Sequence, residues 1–163
     1  MPSQQPLLKA LNHARRYTLA LTADFESDDQ WMKTLPGSPN HAIWILGHLT
    51  VVDNSLLGYI EPAWKQDLGN YGSLFGKGSV PTDQRSDYPE ISELRNSLNT
   101  QRERVIEVLN SLDESRFEEP TIDSAPEFLP TVGSIFHLLA WHEGLHSGQL
   151  SMIHRSLGFA ALR

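Results

Sequence analysis

The sequence predicts an all-α fold: a single-domain four-helix bundle over residues 1–163, with a long loop between its second and third helices. Three observations carry that expectation. Four segments of about twenty residues each place apolar side chains three and four apart, the spacing that lines one face of an α-helix. No segment alternates apolar and polar residues convincingly, as a half-buried strand does. No internal repeat, linker or low-complexity tract divides the chain, and its 163 residues suit one domain with a real hydrophobic core.

The first helix is expected over about residues 4–25, with Leu7, Leu11, Ala14, Thr18, Leu21 and Phe25 on one face. The second opens at Ser38, which can cap, with Pro39 suited to the first helical position. It runs to about Tyr59 and stops before Pro62. The third is the clearest: Ile91, Leu94, Leu98, Gln101, Val105, Val108 and Leu112 form a heptad seam interrupted only by Gln101. The fourth starts near Thr131, after Pro130, and reaches Ser156, with Gly158 just beyond as a stop signal. Four amphipathic segments in one domain read as a four-helix bundle. The longest connection, Glu61 to Pro89, is rich in glycine and carries Trp64, Tyr71 and Phe75. A loop of that length in a compact domain usually serves as a lid, a binding loop or an oligomer contact.

Bulk chemistry narrows the function. The net charge is −7 and no run of Lys or Arg stands out, so nucleic acid is not an expected partner. Cysteine is absent, which removes disulfides, thiolate metal ligands and a thiol nucleophile of the protein's own. The N-terminal stretch has no apolar core of signal-peptide length and no segment approaches a membrane span, so a cytoplasmic protein with no membrane partner is expected.

The chemistry concentrates in Trp141-His142-Glu143-Gly144-Leu145-His146, the H-E-x-x-H spelling of a zinc-protease helix. Four residues apart on a helix, His142 and His146 share one face and can converge on one cation. They lie on a stripe of Ile135, Leu138 or Leu139, Gln149 and Ile153 whose face should be apolar and core-directed, where buried imidazoles need partners. Hydrogen bonding in the core is the competing account. The protease reading lacks a third ligand, because Gln149 and Met152 stand where one family needs Gly and His, and no acidic residue follows Glu143. Helix two offers one instead: His48 lies beside Gly47 among Trp44, Ile45, Val51 and Val52. Glu143 points about 100° away from His142. It is a candidate catalytic base or metal-site neighbour, with a solvated or salt-bridged surface carboxylate as the alternative. Gln149, one turn beyond His146, is a candidate to orient a ligand or bound water, with a core amide that caps polar backbone as the equal alternative. Trp44 and His41 are candidates for the pocket, with core packing and a partly exposed structural histidine as their plainer readings. Trp141 is assigned to packing, and His13, His137 and His154 to the surface.

The order Trp44-Ile45-Leu46-Gly47-His48-Leu49, then Trp141 to Leu150, resembles the DinB/YfiT-like superfamily of four-helix-bundle metalloenzymes, over essentially the whole chain. The resemblance implies a three-histidine site of His48, His142 and His146, followed by Gly148-Gln149. Many members carry Arg where this chain has Ser147. It further implies a divalent metal, zinc or nickel foremost, and a low-molecular-weight thiol as a cosubstrate of transferases or isomerases. The expected function is therefore metal-dependent activation of a thiol or water, for transfer to, or hydrolysis of, a small-molecule substrate. A non-catalytic metal-binding or scaffold bundle is the alternative. Ala140, Gly144, Gly148 and Ser151 recur on the back of the last helix, where each glycine costs about 1 kcal/mol relative to alanine. Close helix contact, within the chain or in a homodimer, would offset that, and the resemblance favours the homodimer.

Overall fold

The structure, a computed structural model, describes residues 4–162. Its helices are α1 (Gln4–Leu21), α2 (Asp28–Trp31), α3 (Ala42–Leu57), α4 (Tyr71–Phe75), α5 (Ile91–Ser111) and α6 (Val132–Ser156). Single 3-10 turns lie at Pro62–Trp64, Arg85–Asp87 and Glu114–Glu118. The described residues contain no strand, only isolated bridges between Leu35 and Ser38 and between Pro120 and Thr131. None of their helices is long and apolar enough to cross a membrane. The fold is all-α. Of the four long helices, α1 packs on α6 and α5, and α3 packs on α5 and α6.

Helix ends differ from the sequence pattern where side chains other than the expected ones satisfy the backbone. The first helix stops at Leu21, and Phe25 reaches the core from the turn that follows, edge-on to Trp31. The second begins at Ala42, not Ser38. His41 is its cap: imidazole Nδ1 accepts the Trp44 N–H at 3.2 Å, and Nε2 donates to the Thr82 carbonyl at 3.1 Å. An imidazole thus does the work usually done by Ser or Asp, using the one backbone donor it can reach. The last helix starts as expected, with Thr131 and Ser134 bonding each other's backbone N–H. On α5 the buried face is Leu94, Leu98, Gln101, Arg102, Val105 and Leu109, so Leu109 takes the core place expected of Val108.

The connection from Gly58 to Glu90 is not simply a lid. Its middle forms α4, which packs on α3 and buries Tyr71 and Phe75. The apolar core falls into two halves. One gathers Leu21, Ile43, Leu46, Leu49, Phe75, Leu94, Leu98, Leu150 and Ile153; the other gathers Leu7, Leu11, Leu57, Val105, Leu109, Phe136 and Leu139. Along every long helix the residue between the two halves is polar: Arg15 on α1, Asp53 on α3, Arg102 on α5 and Glu143 on α6, all buried.

His41, only 1% exposed, is held down to about 4 by burial, which its bond to Thr82 offsets only in part. Because that value lies below the 6.5 of an unfolded histidine, the unfolded chain takes up the proton first. The associated stability is whole above pH 6.5 and is lost as pH falls toward 4, to an extent of up to roughly 3 kcal/mol. His41→Asn keeps a helix-capping acceptor without the titration. Urea unfolding at pH 7 and pH 4.5 should show a smaller acid-induced drop in the variant, and equal drops would discharge His41 from that role.

Candidate metal centre

The packing of α3 against α6 brings three imidazoles together. His48 Nε2 lies 3.3 Å from His142 Nε2, which lies 3.2 Å from His146 Nε2. One ligand atom from each residue falls within 4.8 Å of the other two, and this group could hold a metal ion. Among the described residues no carboxylate joins it.

The outer nitrogens reveal how the inner ones are set. His48 Nδ1 lies 2.7 Å from the Phe75 carbonyl, which can only accept, so Nδ1 carries the hydrogen and Nε2 a lone pair. His146 Nδ1 lies 2.9 Å from Gln149 Oε1, and Asn40 Nδ2 donates to the same oxygen at 3.4 Å. That too leaves a lone pair on Nε2. Two lone pairs therefore face His142 Nε2, which can supply at most one hydrogen between them. Burial holds His142 and His146 down to about 4, with His146 and His48 adding to the effect on His142 and His48 to that on His146, and lowers His48 as well. All three rings are neutral at pH 7, the form in which imidazole ligates a metal.

Local sequence explains the framing. A Cβ on Gly47 would lie 2.4 Å from the Phe75 ring, so glycine is what lets Phe75 seat against α3 and present its carbonyl to His48. The Trp44 indole stacks on the His48 ring at 4.6 Å and 10°, and its Nε1 donates to Ser79 Oγ at 3.0 Å. Between the 76–79 turn and the 126–129 segment a cavity of about 540 Å³ opens onto Trp44, His48 and His142.

The structure thus brings together His48, His142 and His146, with Trp44 and Gln149 beside them. It places His41 apart, as the buried cap of α3 and not as a partly exposed residue at a pocket mouth. His13 and His137 are exposed, whereas His154 is buried between Phe25 and Phe159. The surface assignment of His154 fails because the turn after α1 and the segment after α6 both fold over it. Trp141 is 63% exposed and packs in no core. Ser147, where relatives were expected to carry arginine, is buried and shares a 2.9 Å hydrogen bond with Thr18.

Glu143 is fully buried, so the expectation of a surface carboxylate is corrected. Its oxygens accept from Arg15 Nε at 2.7 Å and pair with Arg102 Nη2 at 2.6 Å. Arg102 also clasps Asp53 with Nε at 3.0 Å and Nη2 at 2.9 Å, and Arg15 Nη2 meets Asp53 at 3.1 Å. Spare guanidinium hydrogens go to the Leu98 and Leu11 carbonyls. Sequence reading missed this quartet. Its signal was present, since Arg15 and Arg102 sit at helical spacing from Leu11 and Leu98 in otherwise apolar stripes.

The family model described as DinB superfamily matches residues 10–150, which include all three histidines and the charged quartet. No curated protein matches the chain.

Removing one member of a buried ion-pair cluster strands the rest without solvent, at a typical cost of about 3–5 kcal/mol. Asp53→Asn and Glu143→Gln should each lower the unfolding free energy by about that amount in denaturant titrations. The double variant should lose less than the sum, because the two carboxylates share both arginines.

Proposed function

The chain belongs to the DinB superfamily, and we propose that it is a metal-dependent enzyme whose His48, His142 and His146 hold one divalent cation, zinc or nickel. The observation that carries this reading is the lone-pair conflict at His142 Nε2. Three neutral nitrogens converge with fewer hydrogens than a hydrogen-bonded cluster needs, and a cation satisfies all three. An all-imidazole donor set suits zinc and nickel. Phe75 and Gln149 hold the rings of His48 and His146 in the ligating tautomer, the task of outer partners in metal sites.

Bound there, with three nitrogen ligands, such a cation would lower the pKa of a thiol or water and supply a nucleophile near neutral pH. The protein has no cysteine, so a thiol nucleophile would come from a small cosubstrate. The cavity beside His48 and His142 is of a size for small molecules, and supports transfer to, or hydrolysis of, such a substrate. We assign Glu143 a positioning role in place of a catalytic base, because both its oxygens are engaged by guanidinium groups. The four long helices we read as the family's four-helix bundle.

We also propose a homodimer that covers the groove between α1 and α6. Ala10, Ala14, Ala140, Gly144 and Gly148 line a cavity of about 590 Å³ there. A Cβ at Gly144 or Gly148 would meet nothing within 4 Å, so contacts inside the chain do not account for these glycines. Trp141, Leu145 and Met152 stand exposed on the same helix.

Elemental analysis of protein purified without an affinity tag should find about one divalent ion per chain, falling severalfold in His48→Ala and His146→Ala. Equal metal in wild type and His48→Ala would overturn the three-histidine site. Gln149→Leu should retain the ion but weaken its affinity about 10- to 100-fold in competition with a chelator. Sedimentation equilibrium should give a dimer that Trp141→Glu dissociates, and a wild-type monomer at tens of micromolar would remove that proposal.

A further inference from the structure

We infer that the cavity beside the histidines selects a small apolar molecule carrying one anionic group, and that Lys77 is the residue that recognises the anion. The inference rests on the proposed enzymatic site, whose substrate class it names.

The walls set the first half of the description. Val52 and Leu56 of α3, Leu138 of α6 and Leu129 form an aliphatic lining, with Trp44 and Phe128 as aromatic neighbours. Phe128, 70% exposed, lines this cavity, and an occupant would cover it. Such walls favour a hydrocarbon or aromatic body and give a sugar or a peptide backbone few partners.

Charge sets the second half. The cavity is lined by no aspartate or glutamate, and Lys77 is its only lysine or arginine. In a chain of net charge −7 this ammonium is not neutralised locally: among the described residues no ion pair includes it. Opposite charge in a ligand would complete the lining.

The backbone that carries Lys77 is tied to the histidine site. The Phe75 carbonyl accepts from His48, Ser79 Oγ accepts from the Trp44 indole, and the Ser79 N–H donates to the Gly76 carbonyl at 3.0 Å. Gly78 sits at φ +88°, a conformation glycine adopts without strain, and lets this turn close. Lys77 is therefore set on the same wall as the His48 partner. A substrate can lay its body on the aliphatic lining, meet Lys77 with its anion and bring a third group to His48 and His142.

The probes are 4-phenylbutanoate, 4-phenylbutan-1-ol and 4-phenylbutylamine, equal in body and different in charge. Each is titrated calorimetrically into the full-length protein as purified, with metal quantified in the same sample. Wild type should prefer the acid to the alcohol by about fivefold, the scale of an exposed ion pair. Lys77→Gln should bind acid and alcohol alike, and Lys77→Glu should favour the amine. Leu138→Gln, on the apolar wall, should weaken all three probes. No binding to wild type, an acid preference that survives Lys77→Gln, or probes indifferent to Leu138→Gln would each overturn the inference. Its fate is separable from that of the metal site. Lys77-dependent selection in metal-free protein would sink the metal reading alone, and metal-replete protein without such selection would sink the lysine alone.

Discussion

Four charges placed in the middle of the helical core hold the rest of the structure in register. Arg15, Asp53, Arg102 and Glu143 come one from each long helix and balance to zero. Burying them is costly, and an apolar layer of equal volume would often give at least equal stability. What the layer adds is selectivity among alternatives. Apolar residues can slide by a turn with little loss, whereas a guanidinium displaced by a turn of about 5.4 Å leaves its carboxylate behind in a dry interior. The two halves of the core then pack on either side of a fixed plane.

The three-histidine cluster inherits that precision. Three donor atoms must meet within a few tenths of an ångström of ligating distance, and they come from two helices distant in sequence. Asp53 lies five residues beyond His48 on α3, and Glu143 directly follows His142 on α6. Through Arg15 and Arg102 the two carboxylates are joined, so the helices carrying the three histidines are locked together close to them. This explains how an H-E-x-x-H spelling arises without a protease. The glutamate that would activate water in a protease is here engaged by Arg15 and Arg102 in the ion-pair layer.

The long helices were legible because burial of one face imposes a period, and all four were placed to within about four residues at each end. So were the three histidines, whose convergence follows from two stripes that should have been apolar throughout. What escaped reading depends on partners distant in the chain. His41 as a cap requires Thr82 to orient it, and a buried His154 requires Phe159 to fold back. The carbonyl that orients His48 belongs to Phe75, and a backbone oxygen leaves no trace in residue identity. Arg15 and Arg102 were visible, but a lone charge in an apolar stripe reads as a long side chain reaching solvent until a buried counter-charge is known.

The last helix shows how one segment can serve three demands at once. His142 and His146 turn toward α3, Glu143 and Ser147 toward α1, and Gly144 and Gly148 toward the open groove. Each pair recurs at four residues, so the three sets advance along the helix together, separated by about 100°. Moving this stretch by one position would exchange a clustered histidine for a residue bonded to α1, or such a residue for a glycine. Such a helix has almost no freedom to rotate. Gly144 and Gly148 cost about 1 kcal/mol each relative to alanine, and the surrounding histidines and charges hold the helix in place despite that cost.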